Sequence, residues 1–257
     1  MNEKTPEIIE KALEQAGLRY SIPQPLIPAY CVEKPNGERF LASPWSLYPQ
    51  TKQHTAGLFK YKELTSKFLL QEGFTSVITD FLTHEQLDDS EYMQTHAFPF
   101  VVKQNDGSGS VNVFMIHSET DLENCRKQVR DIAQLCIQPL VKRDEYRLFI
   151  WKGDITFIYK KGYIPGDVLG RTDEVMNEDF TPLLKNIPQY LQDFAQELYT
   201  KTSAEIIGAD VFLESDINVE QVPLILELNH NPGLAVMYSH GYEVEIVDLL
   251  SKIYSST

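Results

Sequence analysis

Three oxygen-bearing side chains in IIGADVFLESDINVEQVPLILELNHNPGL, residues 206–234, have the types and spacing to hold a hard cation. Two apolar runs, residues 206–213 and 222–228, flank a polar segment suited to a hairpin loop. A loop centred between Asn218 and Val219 sets Asp210 opposite Glu227. Asn229, two residues further on, shares the Glu227 face through the period-2 alternation of a strand. Carboxylates on strands this apolar are expensive to bury unless something positive compensates them, and a divalent cation with oxygen ligands does so. A solvated sheet face carrying ordinary acids fits the same pattern, and periodicity does not choose between the two.

A second set of groups suits an anion. In FPFVVKQNDGSGSVNVFMI, residues 98–116, an apolar strand ends in Lys103, a small-residue loop with Gly107, Ser108 and Ser110 follows, and a second strand resumes. Glycine and serine let backbone amides approach a bound anion, and a lysine on a strand supplies a fixed positive charge. A plain β-hairpin turn has the same composition. The order is not that of a Walker A loop, because the lysine precedes the glycines and no GK[ST] helix follows.

The elements that must hold these groups mix helices and strands, with no internal repeat. Residues 6–17 place Ile8, Ile9, Leu13 and Ala16 on one helical face between a starting proline and a stopping glycine. Residues 20–53 are rich in proline and aromatics, with KPNGE as a hairpin turn. Residues 60–71 predict an amphipathic helix closed by Gly73 and carrying Lys60, Lys62 and Lys67, VITDFLT predicts a strand, and HEQLDDSEYMQTH a loop or short helix. Ser118 with Asp121 caps a helix through about Ile132. CIQPLVKRDEYRLFIWKGDITFIYKK predicts three strands with KGD as a tight turn, and the proline of IQPL, lacking a ladder donor, suggests an edge strand or a linker. Residues 163–180 form a polar loop long enough to be a lid. Pro188 opens a helix with Leu191, Phe194, Ala195 and Leu198 inward, and a last helix covers about 242–254.

Composition narrows the function classes. With 23 Lys+Arg against 37 Asp+Glu, the net charge of −14 over 257 residues opposes a general nucleic-acid or anionic-membrane binder, so any phosphate site must be local. No apolar run approaches the roughly 18 residues needed to span a bilayer, and the first residues lack the basic-then-apolar order of a secretion signal. A soluble, cytoplasmic protein is the expectation. Cys31, Cys125 and Cys136 are odd in number without CxxC spacing, which indicates reduced thiols rather than disulfides or zinc.

In this order the segments resemble the ATP-grasp superfamily, and within it the ligase modules of cyanophycin synthetase and bifunctional glutathione synthetase. The resemblance covers about residues 60–235. KELTSKFLLQEG matches a lysine-led helix, which gives Lys62 a place at the nucleotide. FPFVVKQNDGSGSVNV is similar to the strand and glycine loop, so Lys103 inherits the second ATP lysine, with Gly107, Ser108 and Ser110 beside the phosphates. QPLVKRDEYRLFI resembles the adenine linker: Gln138 and Leu140 near the base, Glu145 on the ribose, Arg147 facing phosphate or substrate. KKGYIPGDVLG is similar to the basic residue and lid of the glutathione and cyanophycin enzymes, which gives Lys161 a catalytic place beside Arg147. GADVFLE with LELNHNPGL resembles the closing motifs, so Asp210, Glu227 and Asn229 inherit the magnesium positions. The chain departs from the pattern in lacking a proline after Lys103, in a displaced loop glycine, in Gln138 where many relatives have Glu, and in Gly208 where D-alanine ligases carry arginine.

The resemblance implies two α+β subdomains clasping ATP, at 56–137 and 138–257, after a short region 1–55 in place of a full preceding domain. It implies an ATP-dependent carboxylate–amine ligase using ATP and Mg²⁺, with Mn²⁺ possible, on an amino acid or peptide, with no nucleic-acid or membrane partner and a homodimer compatible. An ATP-grasp kinase and a non-catalytic ATP-binding module are the alternatives.

Overall fold

The computed structural model describes residues 5–22, 29–43, 48, 53–107, 112–161, 186–214 and 216–256. The expected lid at 163–180 and loop residues Ser108 and Ser110 lie outside the described residues.

Helix α1 (Thr5–Gln15) ends as its glycine predicts: Gly17 takes φ +67°, and Leu18 N–H reaches back to Leu13 O at 3.0 Å. It buries Ile8, Ile9, Ala12 and Leu13, so Ala12 rather than Ala16 completes the face. Strands β1 (Arg19–Ser21), β2 (Tyr30–Glu33) and β3 (Arg39–Ala42) form an antiparallel sheet, with KPNGE as the expected hairpin turn. Gly37 sits there at φ +85°.

Next come α2 (Gln53–Lys60) and α3 (Lys62–Gln71), where a single helix from residue 60 was expected. Tyr61 is extended, at φ −105° and ψ 117°, and breaks the run. The break has a distant cause: Asn105 caps α3, accepting from Lys62 N–H on its backbone oxygen and from Glu63 N–H on its side-chain oxygen, both at 3.1 Å. The expected strand VITDFLT is also divided. Val77 N–H donates to Ile225 O at 2.8 Å, at the edge of one sheet, while β4 (Asp80–Leu82) pairs in another.

The chain continues through α4 (His84–Asp88), α5 (Ser90–Gln94), β5 (Phe100–Gln104), β6 (Val113–Ile116), α6 (Glu119–Gln128), β7 (Leu135–Pro139), β8 (Asp144–Trp151) and β9 (Asp154–Lys160). It closes with α7 (Gln189–Thr202), β10 (Ile206–Leu213), β11 (Leu224–Asn229), α8 (Ala235–Ser239) and α9 (Glu243–Ser255). Ser118 caps α6 as expected, but the helix stops at Gln128, and Ile132 N–H instead closes a turn on Val129 O. Helix α7 buries the four apolar residues expected of it.

Two four-stranded antiparallel sheets carry the rest, in the orders β11-β10-β8-β9 and β4-β7-β5-β6. Of the two proline readings the edge strand is corrected, since β7 is an interior strand paired on both sides, while the linker agrees with a chain that leaves β7 at Pro139 and enters the other sheet at Asp144. Pro139 is tolerated because it is the last residue of β7, and Leu140 N–H turns toward Pro99 O, so the missing donor faces the side where β4 pairing has ended at Ile137.

Alternation along the strands makes the site. One face of the β11-β10-β8-β9 sheet, the larger because its strands are longer, packs through Leu148, Ile150, Ile207 and Ala209 on α7 residues Leu191, Phe194 and Leu198. On the opposite face, Phe149, Phe157 and Ile206 join α1 and α9 in a second cluster with Tyr30, Tyr48 and Tyr254. Further along that face, at Arg147 and Asp210, apolar residues give way to charge. On the smaller sheet Phe100, Val102 and Ile137 face its own core, which leaves Lys103, Cys136 and Gln138 on the other side. Among the described residues no helix is long and apolar enough to cross a membrane, and all three cysteines are free.

Candidate active site

The hairpin closes with the register expected from its sequence. Asp210 on β10 pairs with Glu227 on β11, and Gly208 with Asn229. A bulge follows immediately, with Val211 opposite Ile225. Asn229 donates from Nδ2 to Gly208 O at 3.4 Å and to Glu227 Oε1 at 3.3 Å, which turns its side-chain oxygen away as an acceptor. Gly208 is required at its position: a Cβ there would lie 2.5 Å from Pro232 Cβ and 3.5 Å from an Arg147 guanidinium nitrogen.

Neighbouring strands fill the space around these acids with cations. Arg147, directly opposite Asp210 on β8, holds it with two bonds, from Nε to Oδ1 and from the guanidinium to Oδ2, the latter at 2.7 Å. Lys161, just past β9, reaches Asp210 Oδ2 at 2.7 Å and Glu145 Oε1 at 2.6 Å. Asp210 is fully buried. Burial works against the charge on both cations, but Asp210 outweighs it for Arg147, and Asp210 with Glu145 does so for Lys161, so both are held above their ordinary values.

Two more cations come from the smaller sheet and α3. Lys103, buried on β5, is pushed below the ordinary lysine value first by burial, with the Glu227 charge opposing that shift. Lys62 opens α3 and sends its ammonium to Gly107 O and, at 3.5 Å, to Asn105 O. Of the lysines on the expected helix, Lys67 pairs with Glu63 at the surface, whereas Lys62 turns to the loop after β5. Burial alone would raise the Glu227 carboxyl, but Lys103, Lys62, Lys161 and Arg147 together hold it well below the usual carboxylate range.

The two residues expected near the base, Gln138 and Leu140, lie at the end of β7 and just past it. Gln138 is buried beside Thr79, whose hydroxyl is 3.5 Å from its Oε1, and Leu140 is half-buried at the end of β7. Sequence reasoning missed two residues that shape the site. Asn105 ties the loop after Lys103 to the start of α3, and its only signal was adjacency to that loop. Tyr48 donates to Pro232 O at 2.8 Å, a contact across 184 residues that no local pattern announces.

No protein-family model matches the chain. It is 24% identical over 178 residues to D-alanine--D-alanine ligase B of Clostridium perfringens (strain 13 / Type A), covering 67% of this chain and 58% of that protein. It is 25% identical over 149 residues to the D-alanine--D-alanine ligase of Clostridium botulinum (strain Eklund 17B / Type B), covering 56% and 48%. The chain thus spans about half the length of the curated relatives it matches. Its fold is similar to D-alanine--D-alanine ligase from Bacillus anthracis, with a TM-score of 0.57 at 16% identity over 80% of this chain and 71% of that one. It is also similar to the ATP-grasp ligase PsnB complexed with a minimal precursor, with a TM-score of 0.55 at 14% identity over 80% and 64%. Two antiparallel sheets with Lys103 on one and the Asp210–Glu227 hairpin on the other, together with these likenesses, show that the chain has the fold of the ATP-grasp ligases.

Proposed function

We propose that the protein is an ATP-dependent carboxylate–amine ligase, forming an amide or peptide bond through an acyl phosphate, with an amino acid or peptide as substrate. The observation that carries this reading is the convergence of Lys62, Lys103, Arg147 and Lys161 around the opposed carboxylates Asp210 and Glu227. Four cations against so few acids leave a positive centre in a protein of net charge −14, which suits a triphosphate.

The chain's residues also fit a divalent cation. Asp210 and Glu227 are opposed in register, Glu227 is kept ionised by its neighbours, and Asn229 offers an oxygen because its nitrogen is engaged. Few carboxylates with one neutral oxygen is the donor set Mg²⁺ takes when phosphates complete its shell. Among the described residues no three His, Cys, Asp or Glu gather as a metal site, here or elsewhere, so the fit rests on two carboxylates, the Asn229 oxygen and the phosphates. When bound, Mg²⁺ or Mn²⁺ would neutralise phosphate charge and fix the phosphate oxygens.

Phosphoryl transfer needs positioning and charge neutralisation more than a protein nucleophile. Lys62 and Lys103, with the loop at Gly107, Ser108 and Ser110, hold the phosphates, while Gln138 and Leu140 border the base and Glu145 the ribose. A carboxylate oxygen of the substrate attacks the γ-phosphorus, the bond to the β-phosphate oxygen breaks, and ADP leaves. Arg147 and Lys161 exchange their contacts with Asp210 and Glu145 for the oxygens of the moving phosphoryl group. The amine then attacks the acyl carbon, phosphate departs with the bonding pair, and the nitrogen releases its proton. Residues 163–180 would exclude water from the acyl phosphate.

The test is release of ADP and phosphate from pairs of amino acids and short peptides with Mg²⁺, with product mass read alongside. An amide product, lost on Glu227→Gln while the far-UV spectrum stays native, is the expected result. A stable phosphorylated product would make the protein a kinase instead, and ATP binding with no turnover on any pair would make it a binding module.

A further inference from the structure

The amino-terminal region is more than a cover for the sheet, because it sends one buried tyrosine into the loop that carries Asn229. Tyr48 is 1% exposed, packs edge-on against Phe149 with ring centroids 5.7 Å apart, and donates its hydroxyl to Pro232 O at 2.8 Å. Burial raises the phenol well above its ordinary value, so it stays a donor. Pro232 is buried, and its ring fills the space above Gly208, where a Cβ would come within 2.5 Å of it. Gly208 in turn pairs with Asn229 and accepts its amide nitrogen. Pro232 is therefore pinned from two sides, by a hydroxyl from the first fifty residues and by the bare backbone of β10. Asn229 lies three residues before Pro232, with its nitrogen committed to the same glycine.

The geometry points to Tyr48 as a positioning residue: its phenol holds the 229–234 loop so that Asn229 keeps its oxygen turned toward the bound cation. The inference rests on the reading of Asp210, Glu227 and Asn229 as metal ligands. It predicts that metal affinity depends on one hydroxyl in a region remote in sequence from every ligand, through a chain of packed and hydrogen-bonded contacts.

Manganese binding to the full chain, read by the loss of the free-ion electron paramagnetic resonance signal with AMPPNP present, tests this without turnover. Tyr48→Phe keeps the ring on Phe149 and removes only the hydroxyl, and the expected result is a Kd raised about fivefold, below the roughly tenfold or more lost with groups that bond a ligand directly, because Tyr48 acts through Pro232. Tyr30→Phe is the matched control. That tyrosine is equally buried in the same cluster, but its hydroxyl bonds to Pro6 O at 3.2 Å and Glu10 at 3.0 Å, away from the loop. It should lose comparable thermal stability and leave the manganese Kd unchanged. Gly208→Ala, which pushes Pro232 from the opposite side, should reproduce the Tyr48→Phe signature and serves if that variant does not fold. An unchanged Kd in Tyr48→Phe, or an equal shift in Tyr30→Phe, overturns the inference. Glu227→Gln in parallel separates the two levels: weak manganese binding there with normal binding in Tyr48→Phe overturns only the role of Tyr48. Normal binding in Glu227→Gln overturns the metal site and this inference with it.

Discussion

Among the described residues Glu33 and Asp210 each bond two cations, at least one of them an arginine directly across on a neighbouring antiparallel strand. On the amino-terminal sheet Glu33 lies across from Arg19 on one neighbouring strand and Arg39 on the other, at 2.7 and 2.9 Å. On the larger sheet Asp210 lies across from Arg147, with Lys161 alongside. A cross-strand arginine holds the carboxylate in both places, but the solvent differs. Arg19 and Arg39 are 80% and 68% exposed, whereas Asp210 is 0% and Arg147 15% exposed. In water such pairs contribute little, while in a dry site each charge depends on its partners and removing one leaves the others uncompensated. A carboxylate on an exposed sheet is thus decoration, and the same carboxylate on a buried face becomes a counter-ion on which its neighbours depend.

Substitutions can break or sharpen this contrast. Asp210→Asn leaves two buried cations around a neutral amide and should lower stability by about 3–5 kcal/mol in urea melts, besides abolishing turnover. Lys103→Met removes a desolvated charge that a phosphate would satisfy. Titration calorimetry should show nucleotide Kd raised at least tenfold, in line with the ~1.5–3 kcal/mol of a hydrogen bond to a charged group. Glu227 supplies a pH test. Its folded pKa lies below the ordinary value near 4.5, so its stabilising effect is present above about pH 4.5 and fades as pH falls through the folded value. Glu227→Gln should therefore flatten the acid limb of the stability profile below pH 4.5, and an unchanged limb would remove the assigned influence of the surrounding cations. The smallest effect belongs to Glu33→Gln, expected within about 0.5 kcal/mol of the parent and smaller still in high salt. A loss there as large as that of Asp210→Asn would end the comparison.

Much of the site was legible because it obeys local periodicity. The hairpin register could be counted from its centre, and the inward face of α7 and the stop at Gly17 follow from spacing and a single residue type. The misses share a different cause. Helix α3 begins at Lys62 because Asn105 caps it from another sheet, and β7 is interior because β4 arrives to pair with it. The proline of β7 argued for an edge or a linker, and only its position at the strand end decided between them.

What the sequence determined by itself is which groups share a strand face: Asp210 against Glu227, Asn229 beside it, Lys103 at the end of its own strand ahead of a small-residue loop. A period of two and a short turn leave little freedom. What only the tertiary structure decided is which charges meet. The opposition of Arg147 and Asp210 requires β8 to lie beside β10 across 63 residues of chain, and the Tyr48 contact spans 184. Such contacts form because burying the apolar faces of the sheets brings the strands together, and the charges on those strands must then satisfy one another out of water.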